Sequence, residues 1–254
     1  MKQYSKNYEI KNRAKDYLQG KYKAAVLLCF LNVLIPEAAR TVINMLLAPF
    51  IPAVNLENGI SAAAFLPAFA SDAVIQLIAS SVLGVFQAGC TLFFLNMACG
   101  QVYSTNDLFY GFRHDLGKFL TISTAHALLS VLCLLPGQDL LLICRVTRSF
   151  DYMLPAAGAT LAGLAIYVPL SLGLALSYCL MLDFPDKSPY EVIALSFRIM
   201  HGSKRRLLML ELGFIPLMLL CICTLYVGFL WLMPYMQMNI VCFFLDIMNP
   251  REVS

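Results

Sequence analysis

Charge is scarce in this sequence. Only 13% of its 254 residues are Asp, Glu, Lys or Arg, about half the share of a soluble domain. Signatures of soluble catalysis are missing too. No G-x-x-x-x-G-K, G-x-S-x-G or G-x-G-x-x-G occurs, which excludes the P-loop, nucleophile-elbow and dinucleotide-binding readings. The three histidines, His114, His126 and His201, are scattered with no H-E-x-x-H. The nine cysteines contain no C-x-x-C, so they read as small buried hydrophobes rather than a metal or disulfide framework. No metal, cofactor or catalytic residue is therefore expected, and the chain is read as not an enzyme. A net charge of +3, unevenly distributed, gives no face for nucleic acid.

Apolar residues make up 60% of the chain, and they are gathered into runs that hold almost no charge. A membrane-spanning helix needs about 20 such residues. Candidates are 24–48, 73–98, 118–136, 156–182, 206–227 and 230–247, the last two parted only by a break near Gly228. This predicts an all-α fold, a multi-span transmembrane helical bundle with about six spans plus short cytoplasmic interfacial helices. Residues 1–254 are read as a single integral membrane domain.

Lys and Arg in the connections set the orientation. With the N-terminus inside, fifteen of the eighteen Lys and Arg residues fall in inner segments. They comprise seven before Ala24, then Arg113, Lys118, five in 183–206 and Arg251. Outer segments hold Arg145 and Arg148. The expectation is a multi-pass protein of the plasma membrane with both termini cytoplasmic.

Residues 1–23 form a basic amphipathic segment in which Ile10, Ala14, Tyr17 and Leu18 recur at helical spacing, which predicts a helix lying on the membrane surface. Residues 183–205 hold a second amphipathic helix. In "SPYEVIALSFRIMHG", Ser188 caps, Pro189 takes the first helical position, and Glu191 closes a capping box. Its predicted apolar face is Tyr190, Ile193, Phe197 and Met200. "STNDLFYGF" is a shorter version, capped by Ser104 or Thr105.

Two groups of residues are candidate sites. Lys187, Arg198, Lys204, Arg205 and Arg206 gather beside the second amphipathic helix, and clustered cations near a membrane attract anionic lipid headgroups. Glu37, Arg40, His126 and Glu211 are ionisable residues within apolar runs, a placement that can mark a solute pathway. Glu37 and Arg40 lie three apart, so they can pair on one helical face. Two readings fit them: a pair reaching to the outer headgroups, or a pair facing a polar cavity. Small residues Ser80, Gly84 and Ala88, and Gly173 with Ser177, form faces that let helices approach closely.

The stretch "YCLMLDFPDKSPYEVIALSFRIMHGSKRRLLMLELGF" followed by "GFLWLMPY" resembles an uncharacterised integral membrane family of Gram-positive bacteria, domain of unknown function nine-seven-five. The matching positions are Tyr178, Asp183, Pro185, Ser188, Glu191, Ser196, Met200, Gly202, Lys204, Trp231, Pro234 and Tyr235. "RAKDYLQG" and "NDLFYGF" are similar to its earlier elements. The sequence departs where Pro169 is followed by Leu170, and in a longer outer segment, 137–155. The resemblance implies a multi-span protein and contributes no catalytic residues. A distant similarity to membrane domains that accompany glycerophosphodiester phosphodiesterases implies a lipid setting. The leading expectation is a non-enzymatic protein that handles anionic lipid or stabilises an assembly with a membrane-protein partner. The alternative is a small-solute transporter or channel-like component.

Overall fold

The computed structural model describes residues 2–47, 49, 62–147, 150–249 and 251–252. Arg148 lies outside the described residues. Among these residues the architecture is all-α except for a two-residue antiparallel pairing in which Lys2 faces Glu252 and Gln3 faces Arg251.

Helix α1 (Asn7–Leu18) is set by the spacing of Ile10, Ala14 and Leu18, and it stops before Gly20, whose φ of +76° is natural only to glycine. Helix α2 (Tyr22–Leu47) follows and carries Pro36 in its interior. Helices α3 (Ala62–Leu83) and α4 (Phe86–Ala98) are separated by a short break. A 3₁₀ turn (Thr105–Phe109) leads into the four-residue helix α5 (Tyr110–Arg113). Next come α6 (Leu116–Thr147), α7 (Met153–Leu174), α8 (Ser177–Asp183) and α9 (Pro189–Met200). Helices α10 (Lys204–Leu212), α11 (Ile215–Cys223) and α12 (Phe229–Met248) complete the chain.

Among the described residues, six stretches are long and apolar enough to cross a membrane: Tyr22–Leu47, Phe69–Ala98, Leu116–Cys144, Phe150–Asp183, Lys204–Cys223 and Phe229–Met248. They coincide with the expected six, with one correction. The third stretch does not end at 136. Helix α6 continues through Pro136 to Thr147, and α7 begins at Met153, so most of the expected outer connection 137–155 is helical. Proline removes one backbone bond and kinks a helix. Where lipid offers no alternative partner, the remaining bonds keep the helix going. The break between the last two stretches is a tight turn before Gly228. There Leu225 and Tyr226 adopt φ of +51° and +66°, and the Tyr226 N–H reaches back 3.0 Å to the Cys221 carbonyl, as at a helix C-terminus that closes on itself.

The chain divides into two compact units. The first comprises Met1–Ile35, Val85–Ile122 and Leu172–Ser254. Its core is α4, which packs against the 3₁₀ turn, α5, α8 and α12. Phe93 and Phe94 are fully buried there, with Leu108, Leu180, Phe243 and Met238 around the same core. Gly89 is required for this packing: a Cβ at that position would collide with the carbonyl oxygens of Asp107 and Leu108. The 3₁₀ turn is held by a reciprocal cap in which the Ser104 N–H donates to Asp107 at 2.9 Å.

The second unit comprises Pro36–Gly84 and Ser123–Ser171. Its helices approach through small residues. The Ser123 hydroxyl donates to the Ser81 carbonyl at 2.5 Å, and a Cβ on Gly84 would meet Ser123. Likewise a Cβ on Gly163 would overlap the Cys133 carbonyl. Such contacts replace hydrophobic drive where the solvent is itself apolar.

Candidate functional site

The first unit holds a buried acid that the sequence reading passed over. Asp246 sits in the last turns of α12, and its side chain is 3% exposed. Burying a carboxylate is costly unless it is paired and hydrogen-bonded. Here Arg206 pairs with one carboxylate oxygen, Arg13 approaches the other at 3.4 Å, and the Ser5 N–H donates to both oxygens at 3.2 Å. Arg206 also donates to the Ser5 carbonyl at 2.8 Å, and Arg13 to its hydroxyl. The Arg206 guanidinium lies between two rings, 5.2 Å from Tyr4 and 5.0 Å from Phe243. The planar, always-charged fork of arginine suits both tasks, offering several donors in fixed directions where lysine has a single point charge.

This centre fixes the N-terminal segment across α10 and α12. Asn7 donates to the Arg206 carbonyl at 3.3 Å, Lys11 to the Gly213 carbonyl at 3.2 Å, and the Tyr235 hydroxyl to the Lys11 carbonyl at 3.3 Å. The Lys11 ammonium also stands 4.5 Å above the Phe214 ring. Partial burial, and then the nearby charge of Lys15, hold it below the ordinary lysine range. Ile10, Ala14 and Leu18 are fully buried. The apolar face of α1, which the sequence assigns to lipid, is covered by protein instead. The signal was present: an acid in the final turns of an apolar run, with Arg13 and Arg206 available elsewhere.

The five predicted headgroup contacts therefore separate. Arg206 is committed to Asp246. Arg198 and Arg205 are exposed. Lys187 is exposed and stands 5.4 Å over the Phe184 ring, and Lys204 stands 5.3 Å over the Phe197 ring. They surround α9, whose capping box forms as expected, Ser188 accepting from the Glu191 N–H at 3.3 Å. The buried face of α9 is a correction. Met200 is buried as expected, but Val192 and Ser196 are buried with it while Tyr190 is 74% exposed, because the Ser196 hydroxyl donates to the Gly173 carbonyl at 2.7 Å and Phe197 covers Gly173.

The predicted intramembrane group is divided between units. Glu37, Arg40 and His126 belong to the second, and Glu211 to the first. Arg40 turns to the Ser80 hydroxyl at 3.3 Å. Among the described residues its Nε is buried without a hydrogen-bond partner. Glu37 is exposed, and the ion pairs among the described residues do not include it with Arg40. The same unit contains an acid not singled out from sequence, Asp72, which accepts from Gln76 at 3.0 Å.

The first unit also has a polar cavity of about 410 Å³ where α4, α8 and α12 end, edged by Asn96, Gln101, Asp183 and Asn249. All nine cysteines are free thiols.

A family described as "Protein of unknown function (DUF975)" matches residues 1–251. No curated protein and no solved structure matches the chain.

Proposed function

The chain belongs to this family of unknown function across nearly its whole length, and from that membership and the layout of its charges we propose a non-enzymatic, multi-pass plasma-membrane protein of a Gram-positive bacterium. It holds anionic lipid, or stabilises a membrane assembly, through a basic cytoplasmic surface. The observation that carries this reading is the exposure of Arg198 on α9 and Arg205 at the start of α10, with Lys187 and Lys204 standing over aromatic rings nearby in sequence. Cations near a membrane surface each favour anionic lipid by about 1 kcal/mol. The backbone pairing of Lys2–Gln3 with Arg251–Glu252 supports placing both termini on one side. The concentration of Lys and Arg in the same segments supports the cytoplasmic side.

The test is extraction into native-lipid polymer discs followed by lipid mass spectrometry. Arg198→Gln combined with Arg205→Gln should lower the enrichment of anionic over zwitterionic lipid by about 30-fold at most, two cations' share. Arg206 is left intact, because its loss would disturb the fold. Unchanged enrichment in a correctly inserted variant refutes the lipid reading.

The transporter reading remains the second. What favours it is the half-buried Arg40 guanidinium in the second unit, whose Nε has no hydrogen-bond partner among the described residues, since buried unpaired donors are rare.

A further inference from the structure

Sulphur is concentrated around one cavity of the first unit. A space of about 270 Å³ opens between α2, α11 and α12. Four of the eight residues that line it are Cys29, Met218, Met233 and Met236, although Cys and Met together supply only 21 of the 254 residues of the chain. Helical spacing explains the convergence. Met233 and Met236 lie three apart on α12, and Gln237 lies four on from Met233, so all three share a face. Cys29 and Asn32 share a face of α2 in the same way, and Met218 comes from α11.

Hydrogen bonds hold these walls in place. The Asn32 amide donates to Gln87 on α4 at 3.3 Å, and Gln87 donates in turn to Gln237 at 3.2 Å. Cys90, fully buried in α4, has its thiol in hydrogen-bond contact with that of Cys29. Cys29 is thus the thiol that borders the cavity, with a second thiol supporting it. Methionine ordinarily fills irregular gaps in a core. Here three methionines surround a gap that stays open.

The lining donors define the ligand: three thioethers and one thiol, with no carboxylate or imidazole among them. Soft sulphur donors of this kind select Cu(I), whereas Mg²⁺ and Ca²⁺ need oxygen, and Zn²⁺ is held by thiolate, imidazole or carboxylate rather than thioether. Charge selects the same ion. The cavity lies within stretches of membrane length, where a net charge is costly. One thiolate with a monovalent cation leaves none, and with a divalent cation it leaves one.

We propose that this cavity is a Cu(I) site: the Cys29 thiolate and the thioethers of Met218, Met233 and Met236 hold the ion, and the Cys90 S–H donates to the Cys29 sulphur. Binding forms a Cu–S bond and releases the Cys29 proton to solvent, and the metal keeps its oxidation state. The four sulphurs come from three helices, so no spacing motif along the chain announces them. The site uses none of the residues of the basic surface and stands apart from the lipid reading.

Full-length protein in detergent, reduced and metal-free, is loaded with Cu(I) without air and challenged with excess bicinchoninate, a chelator that strips Cu(I) from isolated thiols. Native mass spectrometry counts the ions retained, and X-ray absorption identifies their ligands. The expected result is one Cu(I) per chain in an all-sulphur shell, unchanged by an excess of Zn(II) during loading. Cys29→Ser should abolish retention. Cys90→Ala, which removes the supporting hydrogen bond, should weaken it about 10–100-fold. Met233→Leu with Met236→Leu conserves volume and removes two thioethers, so retention should be lost while the thermal midpoint of the metal-free protein barely moves. Cys99→Ser with Cys223→Ser, two exposed thiols, should leave the count as it is. A wild-type protein that retains no ion, a shell containing nitrogen or oxygen, displacement by Zn(II), or retention indifferent to the methionine pair would overturn the proposal.

Discussion

Replacing Asp246 by Ala should release the N-terminal segment while the rest of the first unit stays folded. Asp246 is 3% exposed, Arg206 20% and Arg13 34% at the side chain. Removing one partner of a buried ion pair costs about 3–5 kcal/mol, because the other charge is left without compensation. Both arginines keep some contact with solvent, so the lower end applies, about 3 kcal/mol. That free energy falls on the interactions of Ser5, Arg13 and Arg206, not on the contacts of α4 and α8. Opening of the segment should therefore become about 150-fold more frequent, and amide hydrogen exchange over residues 4–13 should speed up by that factor. Asp246→Asn keeps an acceptor for the Ser5 N–H and loses only the charge, so its effect should be smaller. The assay is hydrogen–deuterium exchange with mass spectrometry on protein in lipid discs, comparing peptides 4–18 and 86–98. Exchange over 4–13 unchanged within about twofold would refute the assignment of the carboxylate as the anchor. Equal loss of protection in α4 would refute the separate docking of the segment.

Two further outcomes follow from local geometry. Gly89→Leu drives a side chain into the carbonyls of Asp107 and Leu108. It should cost about 2 kcal/mol, seen as a lower midpoint in a thermal melt, with Gly111→Ala, beside Val85, as a milder comparison at the same interface. Ser188→Ala removes the cap of α9, worth about 1 kcal/mol. Exchange at its first turn should rise about fivefold, and Ser188→Asp should restore it.

The candidate sites were only partly legible in the sequence, for a reason visible in particular residues. Arg206 belongs to the basic run Lys204, Arg205, Arg206, and nothing along the chain distinguishes the three. Helical rotation does, turning Arg206 towards Asp246 and leaving Arg205 exposed. In α9 the spacing of Tyr190, Ile193, Phe197 and Met200 suggests one apolar face, of which Met200 is buried and Tyr190 exposed. The hydrogen bond from Ser196 to Gly173 selects another, and a buried polar contact outweighs one exposed tyrosine ring. Glu37 and Arg40 have the spacing of a pair, yet Arg40 finds Ser80 on a different helix. Periodicity along one helix carries no information about what the neighbouring helix presents.

Composition and local pattern by themselves determined the class of this protein. Long apolar runs with little charge must satisfy their backbone internally, so they become helices of membrane length, and six such stretches are found among the described residues. Short-range chemistry likewise determined the cap at Ser188 and narrowed the other to Ser104 or Thr105, since a cap needs only its own next three residues; the structure selects Ser104. Tertiary structure alone decided which apolar faces meet protein and which meet lipid. Phe93 in α4 is fully buried while Leu27 in α2 is open, although hydropathy scores both as apolar. It alone also gathered Ser5, Arg13, Arg206 and Asp246 around one carboxylate, and Cys29 and Met233 around one cavity. Those groups are distant in sequence, and only the packing of α1, α2, α10 and α12 brings them within reach of one another.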